Sequence, residues 1–372
     1  MLGYFAFLEA TLGPLMPFIR GELRLSYLLA SLHFSAFALG AMVMGAVADR
    51  LTGWWGRRVS FWGGATGMAA GALLIALSPV AVGTIAGAFL MGLLGALLLI
   101  TLQAVLADHY GRWTTVALTE ANVVASGFAF LAPVIIGLVT GAGLSWRLAL
   151  FPIIGFYLVV GGLYRREVFP THPATSAEQT TGAGQRLPLV YWAFWLLIVL
   201  ETGAEWCVAY WGASFLVADA ALSKADAAAA MGAFFLAMLL GRFVGSRLTR
   251  AYAGTVVLVG SLALALVGFP LFWLAPSPPA QVVGLFIVGL GLANVYPLGA
   301  ALATGMAPGQ TDRASARTAV AGGLSALVAP FVLGALSDQI GIGAAFGVAL
   351  PMLLLALLFA GVAGRSQARI SA

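Results

Sequence analysis

The sequence predicts an all-α membrane protein with twelve transmembrane helices arranged as two pseudo-symmetric six-helix bundles. Three observations support this fold class. The 372 residues are 62% hydrophobic and only 8% charged, whereas soluble domains carry about 25% charged residues. The apolar runs have the length that a helix needs to cross a bilayer core of about 30 Å. Short motifs also recur at a nearly constant offset in the two halves of the chain.

The chain contains twelve apolar runs, which we call spans 1 to 12. The first begins at Met1 and lacks a basic leader and a small-residue cleavage site, which indicates a span and not a signal peptide. The predicted spans cover residues 2–19, 27–48, 58–77, 80–106, 115–139, 147–163, 190–217, 226–248, 253–275, 279–305, 314–337 and 342–363.

The basic residues predict the orientation of these spans. An even number of spans puts both termini on one side, and fourteen of the eighteen Lys and Arg residues fall on that side. The other side receives only Arg20, Arg24, Arg147 and Lys224. The positive-inside rule therefore predicts a multi-pass protein of the cell (inner) membrane with both termini in the cytoplasm.

The longest polar stretch separates the two halves of the chain. It is small, polar and interrupted by Gly and Pro, which is typical of a flexible linker. The predicted domains are an N-terminal bundle over 1–164, a cytoplasmic linker over 165–187 and a C-terminal bundle over 188–372.

Four motif pairs support an internal duplication. Parallel six-helix repeats with a binding site at their interface are a transporter architecture. The pairs are Ala132-Pro133 with Ala329-Pro330, Leu25-Ser26 with Leu222-Ser223, Leu39-Gly40 with Leu240-Gly241, and Glu9 with Glu205.

The segment after span 2 contains the most specific motif of the chain. Gly45, Asp49-Arg50 and Gly56-Arg57-Arg58 resemble the signature of the major facilitator superfamily, although Trp54 and Trp55 are extra residues before the second glycine. The resemblance implies the major facilitator fold and transport by alternating access. Together with the twelve spans and the central linker, it covers the whole chain.

Three further segments resemble the fucose-permease-like branch of proton-coupled sugar transporters. They are Gly203-Ala204-Glu205 in span 7, Gly291 to Pro297 in span 10 and Gly13 to Pro17 in span 1. The sequence departs from that branch in span 4, where Gln103 is found and a functional acid is absent. The resemblance implies that spans 1, 4, 7 and 10 line a central cavity.

Carboxyl groups inside predicted spans are the first candidates for function, because ionisable side chains at bilayer depth are costly and usually functional. Glu9 lies in span 1, and Glu201 and Glu205 lie in span 7. A carboxyl in a low dielectric favours its protonated form, which suits a proton carrier. We expect Glu205 or Glu9 to bind the coupling proton; the alternative is a neutral acid hydrogen-bonded between helices.

Glu201 and Glu205 are spaced i, i+4 and share a helix face, so they are expected to titrate as a pair. Alternatively, Glu201 pairs with a donor such as His33, which is the single histidine inside a predicted span. His33 is therefore included among the proton-coupling candidates, although a packing histidine is the simpler interpretation.

Aromatic rings and amides suit the faces and hydroxyl groups of a sugar, and equally a flat lipophilic drug. Aromatic residues in spans are also common packing residues. The predicted solute-binding residues are Gln103, Asn122, Trp206, Tyr210, Trp211, Asn294 and Tyr296.

A second set of charges is predicted to act as an inner gate. Two pseudo-symmetric pairs, Asp49 with Arg317 or with the N-terminus of its helix, and Glu120 with Arg242, would close the cytoplasmic side and break when it opens. The alternative is solvated charges that never meet. The predicted gate residues are Asp49, Arg50, Arg57, Arg58, Glu120, Arg242 and Arg317.

The sequence lacks the motifs of a soluble enzyme. It has no phosphate-cradling loop and no metal-spaced His/Cys set, and the lone Cys207 excludes a disulfide framework. We therefore expect no enzyme activity, no metal, no cofactor besides coupling protons, and no nucleic-acid partner. The expected protein is a monomer that imports a small polar, sugar-like solute with protons. A proton-driven drug or metabolite exporter is the alternative, and a non-transporting membrane protein is a third class.

Overall fold

A computed structural model describes residues 1–167, 169 and 186–371 of the chain, with side chains up to residue 364. This part of the chain is helical and contains no strand. In the first half the helices are Leu2–Leu23, Tyr27–Trp55, Arg57–Leu77, Ala81–Tyr110, Thr114–Gly141 and Phe151–Tyr164, the last preceded by a 3-10 turn, Trp146–Leu150.

In the second half the helices again follow the predicted spans. They are Leu189–Ala218, Lys224–Ala251, Gly254–Leu274, Pro278–Leu292 with Val295–Gly305, Thr311–Ile340, and Ile342–Ala345 with Ala349–Ser371. Span 10 is thus interrupted once, and span 12 begins with a short separate turn.

The predicted all-helical membrane fold is confirmed. The described residues contain eleven helical stretches long and apolar enough to cross a membrane. One of them, Ala81–Gly141, is 61 residues long and consists of spans 4 and 5 joined by the 3-10 turn Gly111–Trp113. Each of the twelve predicted spans therefore corresponds to a helix or to one broken helix.

Span 2 is longer than the sequence predicts. The helix continues through Asp49 and Arg50 to Trp55, and Gly56 with φ +77° is the single residue before span 3 begins at Arg57. The extra residues in the motif thus extend the helix, and a glycine is required at the turn because other residues rarely adopt positive φ. The prediction of a loop between spans 2 and 3, over 49–57, is therefore wrong, because every residue there except Gly56 is helical.

Two compact units can be distinguished. The first comprises the described part of Met1–Ala177 with Ser223–Gly232, and the second the described part of Glu178–Leu222 with Ala233–Ala372. The first turns of span 8 belong to the first unit, where Ala229 packs against Gly137 of span 5. Most of the predicted linker, 165–187, lies outside the described residues, and the domain boundaries stay a prediction.

The interiors of the two units repeat each other at an offset of 197 residues. In the first unit, Gly71 of span 3 lets the backbone of Met91 in span 4 approach closely. In the second unit, Gly268 of span 9 does the same for Val288 in span 10. Close approach of helix backbones at small residues is typical of membrane bundles, and its recurrence supports the predicted duplication.

Candidate functional site

Span 7 presents two carboxyl groups on one face. Glu201 and Glu205 are one helical turn apart in Leu189–Ala218. Glu201 is fully buried and Glu205 is half-buried. The predicted acid pair therefore lies inside the second unit.

Glu201 has few polar partners. Its Oε1 accepts a hydrogen bond of 2.9 Å from the hydroxyl of Thr202, while its Oε2 is buried without a hydrogen-bond partner. An unsatisfied buried polar atom costs about 1–3 kcal/mol, and more when it is charged. Such an atom in a native structure calls for a functional explanation.

Glu205 has a different electrostatic environment. Arg242 in span 8 interacts electrostatically with its carboxyl group, and the Tyr296 hydroxyl in span 10 interacts with both Glu201 and Glu205. A guanidinium keeps its charge at all relevant pH values. Spans 7, 8 and 10 thus converge on an acid pair that is accompanied by one permanent cation.

The interruption of span 10 positions Tyr296. The helix stops at Leu292 and resumes at Val295, because Pro297 has no N–H to donate to the carbonyl of Ala293 and its ring crowds that carbonyl. Breaks of this kind are tolerated in membrane helices where neighbouring helices satisfy the backbone.

Asn294, in the break, contacts span 8. Its Nδ2 donates to the carbonyl of Gly241 at 2.7 Å, and its side chain lies directly against Gly245. The break in span 10 therefore packs directly against span 8. This contact gives Asn294 a packing role, and its contact with a solute stays a prediction.

A cleft of about 550 Å³ opens beside Tyr296, between the second part of span 10 and the start of span 11. Hydroxyl groups and small side chains line it, namely Tyr296, Ala300, Ala301, Thr304, Gly305, Thr311, Ser315, Thr318 and Ala319. Tyr296 is shared between this cleft and the acid pair. The cleft and the acid pair are therefore connected through Tyr296, although neither carboxyl group lines the cleft.

The three aromatic residues of span 7 that were predicted to bind the solute fall into two groups. Trp206 and Tyr210 stack with ring centroids 4.7 Å apart, and Trp206 is half-buried. Trp211 is fully buried, and its Nε1 donates to the carbonyl of Pro330 at 2.8 Å. Trp211 is thus better placed to join spans 7 and 11 than to contact a solute.

The first unit contains the other predicted site residues. Glu9 is half-buried in span 1, and Gln103 and Asn122 are exposed on spans 4 and 5. The Nδ2 of Asn122 donates to the carbonyl of Leu118 at 2.7 Å. The roles of these three residues stay predictions.

His33 is fully buried between spans 2 and 4. Its Nδ1 lies 3.0 Å from the carbonyl of Ala30 and its Nε2 lies 2.8 Å from the hydroxyl of Thr84. Because a carbonyl can only accept, Nδ1 is the protonated nitrogen, and both ring nitrogens have partners within the first unit. This is the geometry of a packing histidine and leaves no ring nitrogen for Glu201.

The charged gate residues are distributed over both units. Asp49, Arg50 and Glu120 are exposed in the first unit, and Arg242 is exposed in the second. Arg317 is half-buried and lies 5.3 Å from the ring of Trp192. The pairing of these residues across the two units stays a prediction.

Arg57 and Arg58 make contacts inside the first unit. Arg57, which is 8% exposed, forms an ion pair of 2.5 Å with Asp108 at the end of span 4, and Arg58 donates to the carbonyl of Arg165 after span 6. These contacts hold three spans together at one end. The sequence analysis did not single out Asp108. An acid at the end of a span, close to basic loops, is a signal that could have identified it as a partner for an arginine.

No group of three His, Cys, Asp or Glu suited to a metal occurs in the described residues.

Comparisons with known proteins agree with this architecture. The chain matches the Major Facilitator Superfamily over residues 2–218 and 194–369. It is 27% identical to an uncharacterised MFS-type transporter of Yersinia pestis over 151 residues, which is 41% of this chain and 39% of that protein. The matched segment thus spans about two fifths of the relative's length.

Solved transporters share the fold at low sequence identity. The nucleoside transporter NupG is similar with a TM-score of 0.74 at 14% identity, covering 98% of this chain and 96% of that one. A D-xylose-proton symporter gives 0.76 at 12% identity, with 96% and 95% covered. A variant of the E. coli fucose:proton symporter FucP gives 0.60 at 20% identity, with 97% of each chain covered. At these identities the likeness shows the fold alone.

Proposed function

Since the chain belongs to the major facilitator superfamily, whose members are transporters, we propose that it is a proton-coupled importer of a small polar solute. It works by alternating access as a monomer in the cell membrane, with both termini in the cytoplasm. The observation that carries the proposal is the position of Tyr296, which interacts with both acids of span 7 and also borders the hydroxyl-lined cleft.

The charges within the site support a division of labour between the two acids. Arg242 supplies one permanent positive charge, which balances an ionised Glu205. A second negative charge on the fully buried Glu201 would be stabilised by two neutral hydroxyls, those of Thr202 and Tyr296, and burial of a charge without a cation beside it is very costly. We therefore assign the coupling proton to Glu201, with Glu205 and Arg242 as the neighbouring pair of charges.

The cleft supports an uncharged solute with several hydroxyl groups. Its polar lining consists of hydroxyls such as those of Thr304, Ser315 and Thr318, which can both donate and accept hydrogen bonds. The solutes named for the similar structures, a nucleoside, fucose and xylose, belong to this chemical class. The rest of the lining is apolar, including Ala300, Ala301 and Ala319, so an exporter of lipophilic compounds stays the alternative.

The test is transport in proteoliposomes after a thermal-shift screen has found a stabilising sugar or nucleoside, because a ligand that binds only the folded state stabilises it by mass action. Glu201→Gln is expected to abolish accumulation driven by a pH gradient while solute exchange across the membrane continues. Glu167→Gln, at an exposed acid after span 6, is the control and is expected to behave like the wild type.

Two results would contradict the proposal. Full gradient-driven accumulation by Glu201→Gln would remove this residue as the proton site. Stabilisation by lipophilic cations alone, with their extrusion on acidifying the opposite side, would favour the exporter.

A further inference from the structure

The turns between spans 1 and 2 and between spans 7 and 8 are equivalent corners of the two units. Arg24 has φ +52° and Ala221 has φ +51°, exactly 197 positions apart. Ser26 caps span 2 by accepting from the N–H of Leu29, and Ser223 caps span 8 in the same way. The two corners can therefore be compared residue by residue.

In the first unit, a guanidinium group fills this corner. Arg147 donates to both carboxyl oxygens of Glu22 at 2.6 and 2.8 Å, and its Nε donates to the carbonyl of Ala76 at 2.6 Å. Trp146 adds a hydrogen bond of 2.9 Å to Glu22. The cation thus bridges an acid and the carbonyl end of span 3, where the helix dipole favours positive charge.

In the second unit, the acid is present, and the segment that corresponds to the 3-10 turn of Trp146 and Arg147 contains no Lys or Arg over residues 342–348. At the offset of 197, Asp219 corresponds to Glu22 and Trp273 to Ala76. Among the described residues, no Lys or Arg forms an ion pair with Asp219. Gly343 faces this carboxylate, since an added Cβ would lie 3.3 Å from Asp219 Oδ1, and a glycine supplies no side chain to the corner.

A cavity of about 360 Å³ lies at this corner, beside the carboxylate of Asp219 and the end of span 9. It is lined by Asp219, Ala220, Trp273, Leu274, Ala275, Pro276, Ser277, Pro278 and Gln281. Gln281 is 2% exposed; its Nε2 donates to Asp219 at 2.8 Å, and its Oε1 is buried without a hydrogen-bond partner. Because Nε2 of Gln281 donates to the carboxylate, the orientation of the amide is fixed and its other polar atom, Oε1, is an acceptor.

We propose that this cavity binds a small organic cation with a guanidinium or primary ammonium group, which takes the place that Arg147 has in the first unit. The carboxylate of Asp219, the Oε1 of Gln281 and the carbonyl end of span 9 are all acceptors, so the site matches a ligand that has donors and a positive charge. The cavity lies on the side that the predicted orientation places outside the cell. The site is separate from the acid pair of span 7, and its test does not depend on proton coupling.

The test measures the thermal stability of the purified full-length protein with guanidinium or methylammonium chloride at low millimolar concentration. Sodium chloride and tetramethylammonium chloride at equal ionic strength are the controls, because neither cation donates hydrogen bonds. The wild type is expected to show a saturable rise in Tm with guanidinium and methylammonium only. Asp219→Asn is expected to bind them about tenfold more weakly or worse, since a charge-assisted hydrogen bond is lost.

A reciprocal pair of variants keeps the test decisive if Asp219→Asn fails to fold. Gly343→Arg places a tethered guanidinium beside the carboxylate, because a Cβ at this position lies 3.3 Å from Asp219 Oδ1, and is expected to remove the response to added guanidinium. Arg147→Ala opens the equivalent corner of the first unit and is expected to be restabilised by guanidinium. The proposal is overturned if sodium or tetramethylammonium stabilises the wild type equally, or if Gly343→Arg retains the full response.

Discussion

Gly245→Ala is the sharpest test of the contact between spans 8 and 10. A methyl group at this position would overlap the side chain of Asn294, which can avoid it only by leaving the carbonyl of Gly241. The substitution therefore acts on the interruption of span 10 that positions Tyr296. It does so without changing any residue of the acid pair or of the hydroxyl-lined cleft.

The size of the effect follows from three terms. Replacing glycine by alanine inside a helix gains about 1 kcal/mol. Loss of the hydrogen bond from Asn294 leaves a buried group unsatisfied and costs about 1–3 kcal/mol. Overpacking costs about 1–3 kcal/mol in addition. The expected net loss in the free energy of unfolding is therefore about 1–5 kcal/mol for Gly245→Ala.

The assay is a double-mutant cycle with Asn294→Ala, in which the free energy of unfolding is measured in detergent micelles. Asn294→Ala alone also destabilises the protein, because the carbonyl of Gly241 loses its donor. In that background the methyl group at position 245 meets no amide, so the second substitution is expected to cost far less. The coupling between the two changes is expected to exceed about 1 kcal/mol.

The control is Gly260→Ala in span 9, where an added Cβ has no atom within 4 Å. This variant is expected to be as stable as the wild type or slightly more stable. Additive effects of Gly245→Ala and Asn294→Ala within about 0.5 kcal/mol would refute the reasoning. A Gly245→Ala protein as stable as Gly260→Ala would refute it as well.

Three further substitutions test other parts of the structure. Arg57→Ala is expected to lower the free energy of unfolding by about 1–3 kcal/mol, because Asp108 loses a charge-assisted hydrogen bond; an unchanged Tm would show that the ion pair is not formed. Gly56→Ala is expected to cost about 1–3 kcal/mol through its positive φ, whereas Gly53→Ala, whose added Cβ meets no atom within 4 Å, is expected to be neutral. His33→Leu is expected to lower the Tm and leave proton-driven accumulation intact in the molecules that fold, and loss of coupling would instead favour a proton relay.

The fold could be predicted because bilayer crossing imposes a length and a polarity that are visible in the sequence. The ends of the spans were harder to predict. Asp49 and Arg50 read as a loop because they are charged, yet a helix continues freely once it leaves the hydrocarbon, and it ends only where Gly56 turns the chain.

The acid pair could be predicted because a carboxyl within an apolar run is conspicuous. Its partners could not, since they come from other spans and depend on packing. Asn294 has the chemistry of a solute contact, but Gly241 and Gly245 of span 8 let its amide reach a backbone carbonyl. Likewise, Asp219 and Gln281 are unremarkable in sequence and become informative only when compared with Glu22 and Arg147.

The length of span 2 determines where Asp49 and Arg50 of the signature motif lie relative to the membrane. Its 29 residues extend about 44 Å at 1.5 Å per residue. The helix is therefore longer than the hydrocarbon core of about 30 Å, even when it is tilted. The last two turns therefore stand among lipid headgroups or in water, where Asp49 and Arg50 stay hydrated. Because Gly56 alone separates span 2 from span 3, a tilt of these last two turns also moves the first turn of span 3.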